Sequence, residues 1–159
     1  MTDVAALLAH LRSRGATVAV AESLTGGLLT AALTEPGGAS SVLRGGLVVY
    51  ATDLKATLAG VDRELLAARG AVDPEVARQL ASGARDRLDA TFGVGVTGVA
   101  GPDAQDGRPV GTVFAAVAGP EGVVGREFRL AGSRTEIRAA AVAACLALLA
   151  GECALSPLP

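Results

Sequence analysis

The chain has 159 residues, enough for one domain with a sizeable core. Half of them are hydrophobic but only 3% are aromatic, so the core has to be built from Ala, Val and Leu. A net charge of −2, a pI near 5.4 and the lack of a long basic run leave direct nucleic-acid binding without electrostatic support. In chain order, apolar residues at Val4, Leu7, Leu8 and Leu11 predict a helix over Asp3–Ser13, ended by Gly15. Thr17–Ala21 reads as a buried strand, and Leu28 to about Thr34 as an apolar helix. After the break at Glu35–Gly38, Ser40–Arg44 reads as a single helical turn and Gly46–Tyr50 as a second strand. Short helices are expected over Asp53–Leu58 and Asp62–Ala68. Asp73-Pro74 is an N-cap followed by proline, opening a helix that runs to about Leu88. Thr91–Val96 is a third strand, and Gly98–Val110 a long loop rich in Gly and Pro. Thr112–Ala118 and Val123–Leu130 flank a hairpin turn at Gly119–Gly122. Ser133-Arg134-Thr135-Glu136 matches a capping box, and the last helix extends to about Ala150. The tail is expected to fray from about residue 152.

No linker or internal repeat divides this order. The expected fold is α/β, a single domain over 1–159 folded as a three-layer α/β/α sandwich with a mixed sheet. No positively charged start followed by an apolar stretch marks a secretory signal, and the Ala-rich run Ala139–Ala150 is too short to span a membrane. A cytoplasmic protein with no membrane partner is the expectation. Cys145 and Cys153 have neither CxxC spacing nor His neighbours, which disfavours metal and redox roles. No metal and no cofactor are expected.

Ser23, Tyr50 and Thr97 each lie at or just past the end of a predicted strand, where ligands of open α/β sheets bind. Ser23 and Thr25, followed by Gly26 and Gly27, stand at a strand-to-helix corner. Such a corner brings a hydroxyl and free N–H groups together and suits an anion or a nucleophile, although most Ser and Thr at helix starts are plain caps. Lys55 is the only lysine, the other thirteen Lys/Arg positions all being arginine, and Tyr50 is the only tyrosine. Arginine stays protonated, whereas a lysine whose pKa falls toward neutrality can act as a base. His10, the only histidine, sits on the first helix, so no Ser-His or Cys-His pair presents itself. What remains is Lys55 acting on Ser23, directly or through the Tyr50 hydroxyl. Thr97 and Gly98 offer a hydroxyl and a close-approach glycine after the third strand. The glycines match neither a Walker loop nor a dinucleotide fingerprint. Arg134 lies in the first turn of the last helix, against the helix dipole, where a phosphate would suit it; Arg138, one turn on, is the competing choice.

The sequence resembles the CinA C-terminal domain family, the nicotinamide mononucleotide deamidases. The carrying segments are Ala21–Gly27, Gly45–Tyr50 with Lys55, Gly70–Val72, Val96–Pro102 and Pro109–Val113, in the family's order across roughly residues 3 to 150. The family often has cysteine where Leu24 stands, so a thiol there is not required in this chain. Larger members add a domain resembling molybdopterin-binding proteins, and the match here looks like the stand-alone form. The resemblance implies metal-free hydrolysis of the amide of nicotinamide mononucleotide to nicotinic acid mononucleotide and ammonia. It implies Ser23 as nucleophile, activated by Tyr50 and Lys55. Substrate contacts would come from Thr25, Gly26, Gly46, Thr97, Gly98 and Arg134. It also points to a homodimer, as does the apolar composition. Two other classes stay open: a non-catalytic nucleotide- or phosphate-binding module, and a competence-related interaction domain.

Overall fold

A computed structural model describes residues 1–155. Its elements are α1 (Val4–Ser13), β1 (Val18–Glu22), α2 (Leu28–Thr34), a 3₁₀ turn at Ala39–Ser41, β2 (Leu43–Val48), α3 (Thr52–Thr57) and α4 (Arg63–Arg69). They continue with α5 (Pro74–Arg87), β3 (Phe92–Gly98), β4 (Thr112–Gly119), β5 (Gly122–Arg129) and α6 (Arg134–Leu155). The five strands form one sheet in the order β2-β1-β3-β4-β5. β2, β1 and β3 run parallel, and β4 and β5 are antiparallel to their neighbours, so the sheet is mixed.

Side chains alternate across the pleat and build apolar clusters on both faces of the sheet. Val18 and Val20 of β1, with Val94 and Val96 of β3, face a cluster that includes Leu8 and Leu11 of α1, Leu29 and Leu33 of α2, and Ile137 and Leu149 of α6. Ala19 and Ala21 of β1 face the other way, onto Leu66 of α4 and Val76, Leu80 and Ala84 of α5. This is the expected three-layer sandwich.

The Asp73-Pro74 start and the Ser133–Glu136 box form as the sequence predicts. Asp73 accepts from Glu75 N at 2.8 Å, and Glu136 Oε2 accepts from Ser133 N at 2.7 Å. The second strand is shifted. It begins at Leu43 rather than Gly46, because a bulge against Val18/Ala19 absorbs Arg44 and draws the preceding residues into the ladder. Tyr50 therefore falls beyond the strand, although Val49 N still donates to Glu22 O at 2.8 Å. α6 also outruns its expected end, continuing to Leu155 with Cys153 buried. At this length it is long and apolar enough to cross a bilayer, yet its Ile137, Ala141, Cys145 and Leu149 pack into the core. The fraying expected from about residue 152 does not occur as far as Leu155, which is still helical, and its part at Ser156–Pro159 lies outside the described residues.

Candidate active site

β1 carries Ser23 past its last residue, and Ser23 N still donates to Val96 O of β3 at 3.2 Å. The chain then turns through Gly26 and Gly27, both with positive φ, before α2 begins. Ser23 is buried. The helix end beside it is already occupied. Glu22, fully buried, accepts at Oε1 from Gly27 N (3.1 Å) and Leu29 N (3.0 Å). Its Oε2 accepts from Thr30 N (2.9 Å) and from Thr30 Oγ1 (2.6 Å). A carboxylate on the free N–H groups of a helix start is a favourable pairing. The α2 N-terminus is therefore not open to a substrate anion, which corrects one of the two readings of this corner.

α3 is a short helix whose task is to place Lys55. The Lys55 side chain runs inward, leaving the residue 1% exposed. Its Nζ donates to Ser23 Oγ at 3.0 Å, to Val49 O at 2.7 Å and to Tyr50 O at 3.2 Å. Burial lowers its pKa to about 8, against a smaller opposing pull from the Asp106 charge. Three acceptors match the three donors of an ammonium. When the proton leaves, the two carbonyls keep two N–H bonds, and the lone pair is left toward the serine hydroxyl.

Tyr50 is placed differently from expectation. Its carbonyl, not its hydroxyl, meets Lys55. The ring stands largely exposed, and its hydroxyl accepts from Arg134 Nη2 at 3.2 Å. Arg134 Nη1 also donates to Gly101 O at 2.6 Å, so this side chain ties the β3–β4 loop to Tyr50 at the rim of the pocket. Arg138 is turned elsewhere. It donates from Nε to Leu24 O (2.9 Å) and from Nη2 to Thr25 O (3.2 Å), bracing the turn that follows Ser23.

Ser23, Tyr50, Lys55, Thr97, Gly98 and Arg134 line one cavity of about 180 Å³. Thr97 is buried and donates from Oγ1 to Ala71 O at 2.8 Å, closing the wall between β3 and the segment before α5. Thr25, Gly26 and Gly46 do not line this cavity. The Thr25 side chain is buried, and its Oγ1 is the one buried side-chain polar atom without a partner among the described residues. Gly26 forms the turn against the Arg138 guanidinium. Gly46 is small because a Cβ there would collide with the Thr30 hydroxyl, which is engaged by Glu22. These three residues support the site from behind. Sequence reasoning missed Glu22 as the brace of the corner. It also missed Asp103 and Gln105, which line the cavity from the β3–β4 loop. Glu22 lies within the Ala21–Gly27 segment, so its position was visible and its partner was not.

A family model described as the CinA C-terminal domain matches residues 2–153. A CinA-like protein of Frankia casuarinae is 52% identical over 143 residues, covering 90% of this chain and 33% of the relative. A CinA-like protein of Acidobacterium capsulatum is 50% identical, over 83% of this chain and 32% of its own length. The chain thus spans about a third of the length of these curated relatives. Among solved structures, a competence/damage inducible protein from Agrobacterium tumefaciens superposes with a TM-score of 0.89 at 40% identity, over 93% of this chain and 92% of that one. A competence-damaged protein (CinA) superfamily protein from Escherichia coli gives 0.88 at 31% identity, over 92% and 86%. With one model matching nearly the whole length and relatives at half identity, the chain belongs to the CinA C-terminal domain family.

Proposed function

We propose that the protein is a serine amidase that hydrolyses the amide of nicotinamide mononucleotide to nicotinic acid mononucleotide and ammonia. The observation that carries this reading is the buried 3.0 Å contact between Lys55 Nζ and Ser23 Oγ. In the proposed reaction, neutral Lys55 takes the Ser23 proton as Oγ attacks the amide carbon. Leu24 lines the cavity, and its N–H, which donates to no protein acceptor among the described residues, is assigned to the developing oxyanion. The Lys55 ammonium then protonates the leaving nitrogen, and ammonia departs with the C–N bond. This leaves an ester on Ser23. Water, giving one proton to Lys55, attacks that ester, the proton returns to Ser23 Oγ as the acyl C–O bond breaks, and the carboxylic acid product loses its remaining proton to solvent.

Direct transfer is favoured over a relay through Tyr50, because Lys55 Nζ meets Ser23 Oγ itself at 3.0 Å and touches only the carbonyl of Tyr50. Tyr50 and Arg134 then act at the substrate, with Arg134 taking the phosphate. The test is ammonia release from nicotinamide mononucleotide by the purified chain. Ser23→Ala is expected to lose at least about 10³-fold in kcat with the fold retained. Lys55→Arg, which keeps the charge but cannot give up the proton, is expected to lose nearly as much as Lys55→Ala. Binding of the nucleotide without ammonia release would reduce the protein to a nucleotide-binding module.

A further inference from the structure

The loop between β3 and β4 folds back as a two-residue hairpin. Gln105 N donates to Arg108 O at 3.1 Å and Arg108 N to Gln105 O at 2.8 Å. Asp106 and Gly107, at its tip, both have positive φ (50° and 72°), as a type I′ turn requires. This turn aims Asp106 at the segment before α5. Its Oδ2 accepts from Ala71 N at 2.8 Å and from Val72 N at 3.2 Å. The approach depends on Gly70, where a Cβ would collide with the Asp106 carboxylate. Ala71 and Val72 line the cavity, and the Ala71 carbonyl takes the Thr97 hydroxyl.

We propose that Asp106 is a positioning residue of this site: one carboxylate oxygen fastens the loop wall of the cavity to the Ala71–Val72 wall. This rests on the Ser23–Lys55 amidase reading. Lys55 is faced by Ser23 at the end of β1, by the carbonyls after β2 and, across the cavity, by Thr97 of β3, Asp103 of the loop and Arg134 of α6. Glu22 is turned to the opposite side, against α2. Asp73 is committed to Glu75 N and Arg69. Burial drives the Lys55 ammonium toward neutrality, and Asp106 is the charge that opposes this. Without that charge, Lys55 would be neutral at lower pH.

Asp106→Asn separates the hydrogen bonds from the charge. A single oxygen makes both hydrogen bonds, so an amide oxygen can replace it, and asparagine tolerates the positive φ. Because Lys55 is the only lysine, a ¹³C label at lysine Cε gives one side-chain resonance to titrate. The expected result is a lower Lys55 pKa in Asp106→Asn. The acid limb of kcat/KM moves to lower pH with it, while KM stays near wild type because the hydrogen bonds to the wall are kept. Asp106→Ala, which also frees the wall, is expected to raise KM about tenfold or more. A folded Asp106→Ala with a wild-type KM, or an Asp106→Asn that raises KM as much as Asp106→Ala does, would overturn the proposal. If wild-type protein binds nicotinamide mononucleotide but releases no ammonia, the amidase reading fails, and weaker binding by Asp106→Ala than by Asp106→Asn still upholds the Asp106 assignment.

Discussion

At the scale of single residues, the site depends on a lysine kept out of water. Neutral Lys55 is the form that can take the serine proton, and with a pKa of about 8 it is a minority species at pH 7, roughly one molecule in ten. Activity on nicotinamide mononucleotide should therefore rise with pH to a plateau above about 8, and a kcat/KM profile checks this. The same burial appears in stability. Below pH 8 the lysine is charged in both the folded and unfolded chain, and above about 10.5 it is neutral in both. Between these limits the unfolded chain binds more protons, so stability should rise with pH, by up to roughly 3 kcal/mol. Denaturant unfolding of wild type against Lys55→Met isolates that slope, which the variant should lack. The two arginines of α6 separate as well. Arg134 reaches the cavity, so Arg134→Ala should cut the kcat/KM preference for nicotinamide mononucleotide over the riboside by about tenfold or more. Arg138 holds carbonyls behind the nucleophile, and Arg138→Ala should depress both substrates alike.

At the scale of elements, two junctions decide whether the site exists. The first is β1 to α2, where Glu22 takes four hydrogen bonds in the interior. Glu22→Gln puts an NH₂ where one acceptor oxygen stood, leaving donors of α2 facing a donor. A loss of about 2–4 kcal/mol is expected, read from the midpoint of chemical unfolding. The second is β3 against α5. A Cβ on Gly95 would collide with the Ala77 carbonyl and Ala81 N, which belong to the helix backbone. A backbone cannot rotate aside as a side chain can, so Gly95→Ala has to displace α5 and with it the Asp73 cap. Its Tm should fall further than that of Gly46→Ala, where the obstacle is the movable Thr30 hydroxyl.

At the scale of the whole molecule, the sandwich turns sequence patterns into a cavity that no single segment contains. The alternation of Val18, Ala19, Val20 and Ala21 was enough to foresee a strand covered on both faces, and the Asp73-Pro74 and Ser133–Glu136 signals marked two helix starts closely. Ser23 and Lys55 were legible for a chemical reason: a lone lysine in an arginine-rich chain and a hydroxyl at a strand end are unusual choices. The Tyr50–Arg134 and Asp106–Ala71 contacts were not, because 84 and 35 residues separate the partners and nothing local in either segment names the other. Gly26 and Gly46 show the opposite difficulty. A glycine required by a ligand and one required by a neighbouring side chain look alike until the neighbour is placed.

The single lysine also makes the molecule its own reporter of opening. A protease that cuts only after lysine has one bond to attack, Lys55–Ala56, and the native fold hides that bond in α3 with the side chain inside the cavity. Cleavage into residues 1–55 and 56–159 requires α3 to leave its seat. A helix of six residues held by few partners should do so without unfolding the sheet, so cutting should depend only weakly on denaturant compared with the global transition. A substrate analogue that fills the cavity should slow the cut, while Asp106→Ala, by loosening the wall, should hasten it.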